Sequence, residues 1–133
     1  MGVLTVFLDK ATNLADTDVI GKTDPYVILD LKQDNWVGDR DYGYQKSSTK
    51  SNDCNPVYGE SFTWNNIDEL KNLVLKVRIM DSDFGSRDDK VGNCTIHLDK
   101  LGLSNRPMDV NEVVDRNMFT ANGMIHLKVS FDE

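Results

Sequence analysis

Seven aspartates of this chain fall in two short segments. The first is Leu14-Ala-Asp-Thr-Asp-Val-Ile-Gly-Lys-Thr-Asp-Pro-Tyr26, with Asp16, Asp18 and Asp24. The second is Met80-Asp-Ser-Asp-Phe-Gly-Ser-Arg-Asp-Asp-Lys90, with Asp81, Asp83, Asp88 and Asp89. Only Lys22, Arg87 and Lys90 oppose them there. Aspartate is a good turn residue, so one such loop needs no further explanation. Two of them meeting at one end of a fold do. Carboxylates about 4 Å apart repel by roughly 4 kcal/mol at an effective dielectric of about 20. A nest of them is tolerable when a cation occupies it. An all-oxygen donor set without His or Cys suits calcium, which takes 6–8 oxygens in adaptable geometry, better than magnesium with its strict octahedron. The Asp81-x-Asp83 spacing resembles the start of an EF-hand loop, but Ser86 and Gly92 stand where that loop needs Gly and Glu.

The segments around these loops read as strands. Leu4, Val6 and Leu8 share one face of Val3–Asp9, and Tyr26–Leu31 is β-branched and aromatic. Gln45–Lys50 is polar and extended, and Gly59–Trp64 sets Phe62 and Trp64 on one face. Leu73, Leu75, Val77 and Ile79 alternate through Leu73–Asp81, Cys94, Ile96 and Leu98 through Lys90–Leu98, and Ile125, Leu127, Val129 and Phe131 through Gly123–Phe131. Short period-two runs bounded by Gly, Pro, Asn and Asp predict an all-β antiparallel sandwich. Asn66–Asn72 reads as a turn or short helix, and Asp109–Phe119 as helix, strand or loop alike. A long hairpin, Lys32–Tyr44, carries Trp36, which is expected to pack back onto the sheet because buried aromatic area stabilises so strongly.

With 133 residues and a net charge of −7, the chain suits a single domain, residues 1–133. Acidity argues against nucleic acid and against anionic lipid unless a cation reverses the local sign. Cys54 and Cys94 form neither a disulfide framework nor a zinc site and read as two buried thiols in a reducing compartment. The apolar run Val3–Leu8 is too short for a signal core or a membrane span, and Val6 breaks the myristoylation pattern that Met1-Gly2 begins. The expected location is therefore cytoplasmic, with peripheral membrane contact and a monomeric state. His97 and His126 find no nucleophile at catalytic spacing, and no Gly-rich phosphate loop is present, so the chain reads as a non-enzyme.

The chain resembles the C2-domain family. The likeness rests on Asp18 and Asp24 within Gly21-Lys-Thr-Asp-Pro-Tyr26, on Asn55-Pro-Val-Tyr58 followed by Glu60 and Phe62, and on Asp81, Asp83, Asp89 and Gly92. The opening Leu4-x-Val6 fits as well, and the likeness spans essentially the whole chain. It implies an eight-stranded Greek-key sandwich in the circularly permuted (type II) strand order. It also implies five side-chain ligands, Asp18, Asp24, Asp81, Asp83 and Asp89, with carbonyl ligands at Val19 and Ser82. Two calcium ions are implied, with Ser86 placed to help hold a third. Asp16 and Asp88 match no obligatory ligand and add field, and Asp88 could join an outer ion.

Calcium binding would reverse the loop charge and let phosphatidylserine-like lipid complete the coordination. Val19, Ile20 and Phe84, beside the ligands, are the expected membrane contacts, each gaining roughly 1.5–3 kcal/mol if fully buried. Lys46 and Lys50 form a small basic patch on one face, with Ser48 and Ile28 where phosphoinositide-binding relatives are basic. The alternative function is a protein-interaction module, with or without calcium, using the Lys32–Tyr44 hairpin and Trp36.

Overall fold

A computed structural model describes residues 1–14, 23–36, 38–83, 85, 87–117 and 120–133, with the backbone alone at 116–117 and 120–122. Eight strands run in sequence: β1 (Gly2–Thr12), β2 (Pro25–Gln33), β3 (Arg40–Lys46), β4 (Val57–Ile67), β5 (Leu73–Asp81), β6 (Asp89–His97), β7 (Met108–Asn117) and β8 (Thr120–Asp132). One 3-10 turn, Leu98–Lys100, follows β6. The hydrogen-bonded order is β3-β2-β5-β6-β7-β8-β1-β4, and every pairing is antiparallel. Among the described residues a single pair, Asn93 with Asp115, joins β6 to β7. The strands therefore divide into two four-stranded sheets that face each other as a sandwich. The last strand lies against the first, in accord with the permuted order.

Alternation makes the core. Leu4, Val6 and Leu8 of β1 and Leu73, Leu75, Val77 and Ile79 of β5 are fully buried, while their neighbours in β1 are half-buried. Val27, Leu29 and Leu31 of β2 and Ile125, Leu127 and Val129 of β8 enter the same cluster from the two sheets. Each such side chain contributes roughly 1.5–3 kcal/mol on burial. Side chains close the open edge between β3 and β4. Gln45 Nε2 donates to the Thr63 carbonyl at 2.9 Å, Trp64 Nε1 to the Gly43 carbonyl at 3.2 Å, and the Ser48 hydroxyl to Glu60 Oε2 at 2.6 Å. Edge strands left bare invite pairing with other chains, and this edge is covered.

Several expectations are corrected. The polar strand expected at Gln45–Lys50 runs instead from Arg40 to Lys46, so Lys50 lies beyond it in irregular chain. The Lys32–Tyr44 hairpin is correspondingly short, because β2 and β3 pair out to Gln33 with Arg40 and leave only 34–39 between them. Trp36 does not pack on the sheet: its relative exposure is 101%. The 34–39 connection extends past the last strand pair, Gln33 with Arg40, and Trp36 stands clear of the sheet there. The ambiguous 109–119 region is strand β7 as far as Asn117. Between Asn66 and Asn72 the chain turns without a helix, helped by left-handed φ values of 60° and 58° at those two asparagines, which asparagine tolerates better than most residues. Strand β6 ends at His97, one residue short of Leu98. Cys54 and Cys94 are half-buried rather than buried. Burial, followed by Glu112 and Asp115 nearby, pushes the Cys94 thiol up to about 12, which disfavours the thiolate at neutral pH.

Candidate functional site

Register brings the two aspartate segments together. Strand β4 opens beside the end of β1, with Lys10 opposite Val57, and β2 opens where β5 ends, with Pro25 opposite Asp81. Asp81 is in turn opposite Asp89, the first residue of β6. The described ends of the connections 13–24, 47–56 and 82–88 therefore share one end of the sandwich.

Asp81 is the centre of the described part. It is fully buried, and its Oδ1 accepts the Asp24 backbone N–H at 2.9 Å. The Asp24 carbonyl accepts the Ser82 N–H at 3.0 Å, which clamps the two segments together. Asp24 Oδ1 accepts the Asn52 N–H at 2.7 Å. Asp24 and Asp83 are half-buried, and Asp89 is exposed. A buried ionised carboxylate is costly unless donors and cations surround it. Asp24, Asp81, Asp83 and Asp89 offer only oxygen donors, the donor type that hard cations such as calcium take. Among the described residues, no group of three or more His, Cys, Asp and Glu side chains is gathered closely enough to hold a metal. Asp18, Val19 and Ser86 of the expected ligand set, Asp16, and the expected membrane contacts Ile20 and Phe84 lie outside the described residues.

Positioning residues emerge that the sequence did not announce. The connection 51–56 is stitched to both flanks of the first aspartate loop. Leu14 N–H donates to the Cys54 carbonyl at 2.9 Å and Asn13 N–H to Asn55 Oδ1 at 2.8 Å on one flank. Asp53 N–H donates to the Thr23 carbonyl at 2.9 Å on the other. Asn13 and Asn52 turn the chain there with φ of 56° and 51°. The Tyr58 hydroxyl donates to the Pro25 carbonyl at 2.7 Å, one residue from Asp24, and burial raises its pKa. The clue to Tyr58 was the Asn55-Pro-Val-Tyr58 motif; no sequence signal marked the backbone at Asn52.

Asp88 has a structural task. Its Oδ2 accepts the Tyr26 hydroxyl at 2.6 Å, and its Oδ1 accepts the Asp83 N–H at 3.0 Å. These bonds, Tyr26 first, hold its carboxyl below the usual range, and burial with the Asp88 contact pushes the Tyr26 phenol up to about 12. The folded pKa is depressed, so the Asp88 contribution is complete above the ordinary carboxylate range and fades as pH falls through the lowered value. Tyr26→Phe is expected to return the Asp88 midpoint toward the ordinary range in an NMR pH titration. An unmoved midpoint would show that the phenol does not hold this carboxylate.

The basic patch sits beside the same loops but is not one strand face. Lys46 Nζ lies 5.7 Å from the Tyr26 ring centre, and Lys50 Nζ 5.9 Å from that of Tyr58. Of the histidines, His97 is exposed, and His126 is half-buried with Nε2 3.0 Å from the Thr12 hydroxyl and Nδ1 2.7 Å from Asn111 Oδ1.

Known proteins share both sequence and fold with this chain. Human synaptotagmin-9 is 35% identical over 107 residues, which cover 76% of this chain and 20% of that protein. Synaptotagmin-1 of Caenorhabditis elegans is 33% identical over 106 residues, covering 79% and 23%. The chain thus spans about a fifth of the length of these relatives. Among solved structures, a C2 domain of plant extended synaptotagmin 1 superposes with a TM-score of 0.83 at 18% identity, covering 98% of this chain and 94% of that one. The paired C2 domains of extended synaptotagmin 2, solved with calcium bound, give 0.72 at 22% identity, covering 98% and 45%. The C2-domain family model matches residues 2–124, and with the sandwich and its aspartate end this places the chain in the C2-domain family.

Proposed function

We propose that this C2 domain binds calcium at the Asp24–Asp81 end and, once loaded, docks reversibly on anionic phospholipid membranes. The observation that carries this reading is the fully buried Asp81 carboxylate, set by register between Pro25 and Asp89 and hydrogen-bonded to the Asp24 backbone. Such a charge is held in place for a cation. The calcium-bound neighbour of the same fold supports it.

Asp18, Asp24, Asp81, Asp83 and Asp89 would hold two ions, with the carbonyls of Val19 and Ser82, and Ser86 would serve a third. Each bound ion supplies two positive charges, which turn a surface that repels acidic headgroups into one that attracts them. The Asp88 bonds to Tyr26 and Asp83 hold the described part of the second segment, and the Asn52 and Tyr58 bonds hold Asp24 and Pro25 after the first. Docking of this kind needs no large rearrangement, only a change of sign. Residues 1–133 act as one such module, as a monomer, on the cytoplasmic face of the membrane.

Val19, Ile20 and Phe84 follow ligand positions in sequence and add apolar insertion to the electrostatic term. Phe84→Ala is expected to weaken binding to calcium-loaded phosphatidylserine vesicles by about 10-fold or more, the loss of roughly 1.5–3 kcal/mol of apolar burial. Calcium affinity in the absence of lipid should stay within a factor of about two. Equal vesicle affinity in variant and parent would remove the insertion step.

A further inference from the structure

At the end of the sandwich opposite the aspartate loops stands a fully exposed tryptophan, in a connection that also carries acids. Trp36 lies in the 34–39 connection with Asp34 and Asp39, and Asp41 follows in β3. The turn 68–72 is stitched alongside. Gln33 Nε2 donates to the Glu69 and Lys71 carbonyls at 3.3 and 2.8 Å, and Asp34 N–H donates to the Asn72 carbonyl at 3.0 Å. Asp68 joins the same rim through its ion pair with Arg40. Arg40 is thus answered by Asp68, and it also lies 4.8 Å over the Tyr42 ring. Asp34, Asp39, Asp41, Asp68 and Glu69 stand with Arg40, Lys71 and Lys32, which is opposite Asp41, for a net charge of −2.

We propose that this rim docks a Lys/Arg-rich segment of a partner protein, with Trp36 as its aromatic anchor. Burying an indole yields some of the largest apolar gains available to a contact surface, and interface anchors are enriched in Trp. The surrounding charge selects the partner. An acidic rim repels anionic lipid, whereas ammonium and guanidinium groups bind carboxylates and the indole face together. Position agrees: a domain seated on a membrane by its aspartate loops turns this end away from the bilayer. The surface needs no calcium, so one domain could hold a membrane at one end and a basic segment at the other.

Fluorescence titration of the 133-residue chain with an octa-arginine peptide, in calcium and in chelator, tests the proposal. Trp64 is 5% exposed, so the solvent-facing Trp36 reports the event, and Trp36→Phe identifies its signal. The expected result is saturable change of the Trp36 emission in both conditions. Asp34→Asn/Asp39→Asn, two exposed sites, should weaken it about 5- to 10-fold. Peptide bound only at the distant aspartate loops would leave Trp36 unchanged, and that outcome overturns the proposal. So does an unaltered affinity in the double variant, or a Trp36 response to phosphatidylserine vesicles in place of the peptide, which would make the indole a membrane contact.

Discussion

Gly123→Ala is expected to cost the fold about 3 kcal/mol, the sum of a steric overlap and a strained backbone. Gly123 has φ of +89°, a conformation that side-chain-bearing residues rarely adopt. A Cβ there would overlap the Thr12 carbonyl oxygen and lie 3.0 Å from that of Asn13. Both obstacles are backbone, so neither can rotate away. Next to it Met124 pairs with Thr12, the last residue of β1 before the aspartate loop. The same step that strains the variant therefore displaces the loop's anchor. Thermal unfolding should show a midpoint lowered by roughly 10 °C. A midpoint within about 2 °C of the parent would mean that β8 approaches β1 less closely than described.

Asp81→Asn separates calcium binding from folding. Its Oδ1 accepts the Asp24 N–H, a bond that the amide oxygen of asparagine can keep. What the change removes is a fully buried negative charge. Without calcium the variant should be as stable as the parent or more so, because a neutral amide tolerates burial better than a carboxylate. With calcium the order reverses. Parent protein at about 100 times its dissociation constant gains about 2.7 kcal/mol, a rise in midpoint of roughly 10 °C, and the variant gains almost none. Paired melts in calcium and in chelator read both signs. A variant that keeps the full calcium shift would remove Asp81 from the ligand set.

The sequence disclosed the elements with a clean apolar row and concealed the rest. β1, β5 and β8 alternate buried and outward residues almost without a break, and their period of two was plain. β3 has no buried residue, so nothing in its pattern marked where it began. In β7 the buried Val110 and Val114 are four apart with Glu112 between them, a spacing that a helix face shares. Trp36 shows the limit of arguing from burial: the free energy is available, but the indole sits beyond the last strand pair and stays exposed. The placement of Asp24, Asp81 and Asp89 at or beside strand ends was legible. The scaffold behind them was not, because bonds such as Asn52 N–H to Asp24 and Tyr58 to the Pro25 carbonyl join loops distant in sequence and leave no periodicity.

Vesicle co-sedimentation tests calcium-gated docking directly. The chain is mixed with phosphatidylserine or phosphatidylcholine vesicles, in calcium or in chelator, beside Asp83→Asn. Pelleting should occur only with calcium and phosphatidylserine together, and Asp83→Asn should abolish it. Pelleting in chelator, or equal pelleting on the neutral lipid, would contradict a charge switch at the aspartate loops. No pelleting under any condition would contradict membrane docking itself.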